Sequence, residues 1–127
     1  MAVTFLPSVV LDPRTAAHDH MLAALEDASA LIKVDLVVTC GREGHPPTDP
    51  HTRGLALDVR SRNLGEGQIS VVYDRLRLRL GPCWTVLYEV KTKPAGALLR
   101  AIAYVNPGAS APHFHLQLRK GLTQWTT

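Results

Sequence analysis

At 127 residues the chain is long enough for one domain with its own hydrophobic core and too short for several. Its 46% apolar and 20% charged residues exclude a disordered or coiled-coil protein, and a net charge of +3 is too small to indicate nucleic-acid binding by itself. No apolar run suffices for a membrane-spanning helix, and the first residues lack the basic segment of a signal peptide. We therefore predict a single domain over residues 1–127, a monomer that binds neither nucleic acid nor a membrane and that begins in a cytoplasm.

The first half of the chain is predicted to contain one helix and two strands. Asp12 is the expected N-cap, and Pro13 is the expected first residue of a helix with an apolar stripe. β-branched and alternating runs predict strands over residues 35–41 and 55–59. The chain between these strands is rich in proline and glycine, so we expect turns there.

The second half is predicted to contain a helix over residues 65–81, because apolar residues recur there at helical spacing. The alternation of arginine and leucine over residues 75–80 is a competing strand signal. Residues 94–106 fit either a short helix or a helix that runs into a strand, and strands are predicted over residues 83–90 and 113–119. This irregular order predicts an α+β fold, a small antiparallel or mixed sheet with helices packed mainly on one face.

Cysteines and histidines determine which metal or nucleophile chemistry is available. Cys40 and Cys83 fit either one disulfide or two buried thiols, and their apolar surroundings favour buried thiols. His18 and His20 are expected on the solvent-facing side of the first helix, without a functional role. His45 lies in the turn-rich segment and is a candidate for contact with a ligand.

Residues 51–59, HTRGLALDV, contain a histidine and an aspartate seven positions apart. On one helix His51 and Asp58 would lie about 10 Å apart along the axis, and on one strand they would point to opposite faces. They can share a metal ion only if the chain bends between them, and Gly54 allows that bend without steric penalty. On the following strand, Asp58 shares a face with the small Ala56, which leaves room for an ion.

The predicted strand over residues 113–119 provides the complement to this pair. His113, His115 and Gln117 lie on its polar face, so the two histidines are roughly 7 Å apart on one side of the sheet. Two histidines and one carboxylate would leave a zinc ion with a net charge of +1 and a free fourth position, as in catalytic zinc sites. The alternatives are that the histidines are incidental and that Asp58 pairs with a nearby arginine.

Together these motifs resemble those of the zinc D-Ala-D-Ala carboxypeptidase family, which includes phage L-alanyl-D-glutamate endolysins, dipeptidases of vancomycin resistance and the hedgehog signalling domain. The resemblance rests on the pattern H-x-x-G-x-A-x-D from His51 to Asp58, on the H-x-H of residues 113–115, and on TCGRE at residues 39–43, which is similar to an S-G-x-R element. It covers residues 12–119. It implies a zinc peptidase fold and a peptide substrate such as a peptidoglycan stem peptide.

The resemblance also implies roles for individual residues. Three residues match the family's zinc ligands: His51, Asp58 and His115. His113 matches a position that contacts the substrate or the transition state. Arg42 matches an arginine that holds a carboxylate or carbonyl of the substrate, for which a fixed bidentate cation is suited. The serine that usually precedes the first ligand histidine is absent, so Thr48 or Asp49 would take its supporting role.

The general base of such an enzyme has two candidates here. Many family members carry a glutamate shortly before the last histidine, whereas residues 106–112 contain no acid. Glu89, on the strand over residues 83–90, could reach across to the site from an adjacent position. His113 is of the residue type most often used as a base. A third possibility is that no competent base exists.

The sequence is therefore consistent with three functions. The first is a zinc metallopeptidase of the carboxypeptidase or endopeptidase type. The second is a zinc-binding domain of the same fold that has lost hydrolysis and serves recognition or phage assembly. The third is an unrelated domain with incidental histidines. Action on a cell wall would require release of the protein or its carriage by a phage.

Overall fold

A six-stranded mixed sheet and three helices make up residues 2–126, the part of the chain that the computed structural model describes. In chain order the elements are β1 (Val3–Phe5), α1 (Ala16–Ile32), β2 (Leu36–Cys40), β3 (Ala56–Arg60), α2 (Glu66–Leu80), β4 (Trp84–Val90), α3 (Ala97–Ile102), β5 (Ala103–Val105) and β6 (His113–Leu118). The strand order is β1-β2-β3-β6-β4-β5, parallel at the two edge pairs and antiparallel elsewhere. The predicted α+β fold is confirmed. Within residues 2–126, no helix has both the length and the apolarity needed to cross a bilayer.

The hydrophobic core lies between the two long helices and one face of the sheet. Alternate residues of the three central strands are buried on that face, among them Leu57, Val59, Val86, Phe114 and Leu116. The helices cover them with Met21 and Leu25 of α1 and with Val72 and Leu76 of α2. Each buried side chain of this size contributes about 1.5–3 kcal/mol to folding. The helices thus occupy one face and leave polar positions of the central strands on the other.

The arginine–leucine alternation of residues 75–80 belongs to α2. Leu76 and Leu80 are fully buried, whereas Leu78 between them is 72% exposed. Residues four apart share a face of a helix and a residue two positions away does not, so this burial pattern is the helical one. The predicted helix over residues 65–81 is confirmed, and the alternative interpretation of residues 75–80 as a strand is wrong.

The start of α1 differs from the prediction. The N-cap is Thr15 and not Asp12, and the first helical residue is Ala16 and not Pro13. The hydroxyl of Thr15 accepts a hydrogen bond from the main-chain N–H of His18, and Nδ1 of His18 accepts one from the N–H of Thr15. This reciprocal capping box satisfies N–H groups that a helix start otherwise leaves without partners, which is why the helix begins there.

His18 is fully buried, so its expected solvent-facing position is wrong. It lies on the face of α1 that carries Met21 and Leu25, three and seven residues further on, a spacing visible in the sequence. Burial, followed by the charges of Arg42 and Arg14, lowers the pKa of His18 to about 4. The imidazole is therefore neutral in the folded protein at neutral pH.

The low pKa of His18 leads us to expect a specific acid sensitivity. In the unfolded chain, His18 is protonated near its ordinary pKa of 6.5, whereas in the folded protein it is protonated only near pH 4. The stability that the folded protein has above pH 6.5 is therefore lost progressively as the pH falls from 6.5 toward 4. At about 1.4 kcal/mol per pH unit, the loss at pH 4.5 is about 2–3 kcal/mol.

His18→Gln isolates this effect, because glutamine also completes a capping box but does not titrate. In urea titrations of the metal-free protein, the free energy of unfolding of the wild type should fall by about 2–3 kcal/mol more than that of His18→Gln between pH 7.5 and 4.5. An equal fall in the two proteins would contradict the role given to His18.

The other expectations for cysteine and histidine are met only in part. Cys40 and Cys83 are free, so no disulfide joins them, and both are half-buried rather than fully buried. His20 is half-buried against the rings of Trp84 and Trp125 instead of facing solvent. These departures arise from packing between elements that are distant in the chain.

Two short strands form the edges of the sheet. The sequence prediction contains no strand at β1, which pairs parallel to β2 and lies outside residues 12–119. A three-residue strand carries too little pattern to be recognised locally. At the other edge, α3 leads directly into β5, which is the helix-into-strand alternative for residues 94–106.

Candidate metal centre

The candidate site lies on the face of the sheet that α1 and α2 leave uncovered. The antiparallel register of β3 and β6 places Asp58 opposite His115 and Arg60 opposite His113. On the other side of β6, Glu89 of β4 lies opposite His113. Residues directly opposite each other in an antiparallel pair project from the same face. The predicted polar face of β6 therefore lies between an aspartate on one neighbouring strand and a glutamate on the other.

The loop before β3 brings His51 back to Asp58. Gly54 has a φ of 74°, which glycine adopts without steric cost, and its N–H donates to the carbonyl of His51. A Cβ atom at position 54 would lie 2.5 Å from the side-chain methyl of Thr15, so packing also requires glycine. The bend that the sequence predicts between His51 and Asp58 is confirmed.

Three donor atoms converge at this bend. Nε2 of His51 lies 3.2 Å from Oδ1 of Asp58, and Nδ1 of His115 lies 2.9 Å from the same oxygen. All three atoms lie within 4.8 Å of one another. Nε2 of His51 is buried and makes no hydrogen bond with the described part of the chain. A buried nitrogen without a hydrogen bond beside two further donors fits a metal ion, so the residues present suit the zinc that the resemblance implies.

The groups behind the two histidines determine which nitrogens are free to bind. Nδ1 of His51 lies 3.0 Å from Oδ1 of Asp49, and Nε2 of His115 lies 2.8 Å from Oε1 of Gln117. These oxygens only accept, so the hydrogens are on Nδ1 of His51 and Nε2 of His115. The remaining nitrogens, Nε2 of His51 and Nδ1 of His115, face Asp58, and a metal ion would take the place of a proton there, as in metal sites whose histidines donate to a second layer of acceptors. Asp49 occupies the supporting position considered for Thr48 or Asp49.

The electrostatics of the centre favour a cation. Burial alone would raise the pKa of Asp58, but its contacts with His115 and His51 hold that pKa well below the usual range. Burial alone would lower the pKa of each histidine, yet the neighbouring Asp58 raises both. The cluster therefore holds protons on its nitrogens more tightly than free imidazoles do, and a divalent ion can replace those protons.

A second group of possible ligands, Cys40, His45 and His51, adjoins the first. Sγ of Cys40 lies 3.0 Å from Nε2 of His45. The rings of His45 and His51 are stacked, with centroids 4.4 Å apart and planes 10° apart. Imidazole lone pairs lie in the ring plane, so those of two parallel rings do not converge on one ion. Burial, and then the charge of Asp58, raises the pKa of Cys40 to about 12, which keeps the thiol protonated.

Glu89 and His113, the two candidates for a general base, are hydrogen-bonded to each other. Nε2 of His113 lies 3.2 Å from Oε1 of Glu89. Nδ1 of His113 donates to the carbonyl of Ala111 at 2.8 Å, because a carbonyl only accepts. Nε2 of His113 and Oε1 of Glu89 are thus close enough to pass a proton from one to the other. Asn106 donates to Oε2 of Glu89 at 2.8 Å and fixes the orientation of the carboxylate.

This pair borders the candidate metal centre. Nε2 of His113 lies 3.9 Å from Oδ1 of Asp58, and Oε1 of Glu89 lies 4.0 Å from Nδ1 of His115. Glu89 is 9% exposed, so its carboxylate is largely shielded from water. The two side chains that the sequence offers as alternatives thus form one hydrogen-bonded pair beside the three donor atoms.

Arg42 uses its guanidinium to hold the main chain. Its nitrogens donate to the carbonyl oxygens of Leu11, Pro13 and Thr52. Thr52 follows His51, so Arg42 ties the loop that carries this histidine to the segment before α1. A role for Arg42 in binding substrate stays a prediction, and these hydrogen bonds use three of the five N–H groups of its guanidinium.

An open groove of about 460 Å³ lies beside His115, toward β4 and β5. Its lining includes Glu89 and His115 together with apolar and uncharged polar side chains, among them Leu87, Tyr104, Val105, Thr85 and Gln117. Such a mixture suits a peptide, which presents both apolar side chains and amide groups.

Two supporting residues have no role in the sequence prediction. Gln117 lies two positions beyond His115 on the same strand face, and strand alternation could have indicated their contact. Asn106 reaches Glu89 because β5 runs parallel to β4, a pairing that no local pattern reveals. The structure therefore adds an orienting partner to a candidate ligand and to a candidate base.

Comparison of the chain with protein-family models, with curated proteins and with solved structures gives no match.

Proposed function

We propose that this protein is a zinc-dependent peptidase that hydrolyses short peptides. One observation carries the proposal: three donor atoms of His51, Asp58 and His115 converge beside the Glu89–His113 pair. Three protein ligands with an open side are the arrangement of catalytic zinc, whereas structural zinc is enclosed by four. When bound there, zinc would supply Lewis-acid activation of water and of a peptide carbonyl.

The side chains around the centre have the properties that hydrolysis requires. The Glu89–His113 pair can take a proton at Oε1 or Nε2 and return it to a leaving amine, which is general acid–base catalysis. Asn106 keeps the carboxylate oriented during that transfer. Leu87 and Val105 in the adjacent groove can exclude water from one side of a bound peptide.

The substrate class follows from the resemblance. A stem peptide of peptidoglycan, which contains D-amino acids, is the substrate that we propose, with the protein acting as a monomer. The alternative is a zinc-binding domain that lost hydrolysis and serves recognition or a phage structure. The sequence feature behind this alternative is the lack of an acid in residues 106–112.

The test uses the full chain, freed of metal and then loaded with one equivalent of zinc. It is incubated with the synthetic pentapeptide L-Ala-γ-D-Glu-L-Lys-D-Ala-D-Ala and with an all-L isomer, and the products are identified by mass spectrometry. We expect zinc-dependent cleavage of the first peptide and little cleavage of the second. Zinc binding without cleavage of either peptide would favour the non-catalytic alternative, and absence of zinc binding would refute both.

A further inference from the structure

We propose that Arg60, assisted by Arg62, binds the free carboxylate at the carboxyl end of the peptide substrate, so that the enzyme removes carboxyl-terminal residues. This inference rests on the proposed peptidase function and selects between its carboxypeptidase and endopeptidase forms. Its starting point is a small pocket of about 180 Å³ whose lining includes Arg60, Arg62 and His113.

Arg60 differs from the other partly buried arginines. Within residues 2–126, three arginines are half-buried: Arg42, Arg60 and Arg75. Arg42 donates to three carbonyls, and Arg75 pairs with Asp27. Arg60, by contrast, forms neither an ion pair nor a side-chain hydrogen bond with any of residues 2–126. A partly desolvated guanidinium without an acceptor is suited to a planar anion from outside the chain.

The register of the sheet places this cation next to the centre. Arg60 lies opposite His113 and two residues beyond Asp58 on the same strand face, roughly 7 Å along the strand. Consecutive carbonyl carbons of an extended peptide are about 3.3–3.6 Å apart, and a guanidinium binds a carboxylate through hydrogen bonds of about 2.7–2.9 Å. A peptide with one residue after the scissile carbonyl therefore has the reach to bring its terminal carboxylate toward the part of β3 that carries Arg60.

The pocket and the groove lie on opposite sides of β6. The groove is lined from β4 and β5, whereas the pocket is lined from β2, from β3 and from residues 110–112. A peptide that crosses the centre can therefore place its longer amino-terminal part in the groove of about 460 Å³ and its last residue in the pocket of about 180 Å³. The smaller volume and the cation suit a single terminal residue.

The first experiment compares the zinc-loaded protein on the D-Ala-D-Ala pentapeptide with a free carboxylate and on its carboxyl-terminal amide. We expect the wild type to prefer the free acid by about 10- to 100-fold in kcat/KM, the range of a charge-assisted hydrogen bond. Arg60→Ala should remove this preference, and Arg60→Lys should retain part of it. Arg53→Ala, which changes an exposed arginine in a different pocket, is the matched control and should keep the full preference.

A second experiment does not depend on hydrolysis. N-acetyl-D-alanine and its amide are titrated into the metal-free protein, and side-chain N–H signals are followed by NMR. We expect N-acetyl-D-alanine to shift the signal of Arg60, the amide to leave it unchanged, and Arg60→Ala to lose the binding. If no variant cleaves peptide, the proposed function fails, and this titration still tests the pocket. Shifts at Arg53 instead, or binding unchanged in Arg60→Ala, would overturn the inference.

Discussion

Replacing Asp58 with alanine should abolish zinc binding. Oδ1 of Asp58 is the atom on which both ligand nitrogens converge, at 2.9 Å from Nδ1 of His115 and 3.2 Å from Nε2 of His51. Without that oxygen, two neutral imidazoles are left to bind the ion, and no negative ligand compensates its charge. We expect the zinc affinity to fall by about 1000-fold or more. This loss is larger than the roughly 10- to 100-fold loss caused by removing a residue that only hydrogen-bonds to a ligand.

A graded series makes this expectation specific. Asp49→Ala removes the acceptor behind His51 and should weaken zinc binding by about 10- to 100-fold. Asp74→Ala removes an exposed carboxylate on α2 and should have no effect. The affinities can be measured by competition with a chromogenic chelator. As a second readout, zinc at about 1000 times its Kd should stabilise the wild type by about 4 kcal/mol and Asp58→Ala hardly at all. Wild-type affinity in Asp58→Ala would refute the ligand set.

Glu89→Gln should lower kcat by about 100- to 10,000-fold while zinc binding changes little. The carboxylate lies 3.2 Å from Nε2 of His113 beside the centre, and an amide cannot act as a base in its place. His113→Ala should cause a loss of similar size for the same reason. Because the two side chains act as one unit, the double variant should be little worse than the worse single variant.

Single-turnover kinetics of the four proteins would measure this coupling on the stem pentapeptide. Glu26→Gln, a change of an exposed glutamate on α1, is the control and should retain wild-type turnover. Losses that multiply in the double variant would show that Glu89 and His113 act independently. Unchanged turnover in both single variants would place the base elsewhere.

Local patterns in the sequence predict much of the fold and the three ligand candidates. Leu57 and Val59 alternate with Asp58, and the alternation places this aspartate on the face opposite the core. The need for Gly54 can also be recognised locally, because only a bend within a few residues can bring His51 back to Asp58. Such features depend on backbone geometry over less than ten residues, which a single sequence contains.

Other parts of the site have no local signal. Glu89 and His113 are 24 residues apart in the chain and meet only because β4 pairs with β6 in one particular register. A shift of that register by one residue would move Glu89 to the helix-covered face. For the same reason the sequence leaves Glu89 and His113 as separate candidates, whereas the structure joins them.

The arginines illustrate the division between sequence and tertiary structure. The motif around Arg42 indicates a functional arginine, yet the distant Leu11 and Pro13 provide acceptors that hold it to the main chain. Arg60 is inconspicuous in the sequence, and packing leaves it half-buried beside His113 without an acceptor among residues 2–126. Periodicity and covalent geometry thus determine which residues share a strand face and where the chain must bend. Strand order and register, which depend on contacts between distant segments, decide which of those side chains meet and which charges stay free for a ligand.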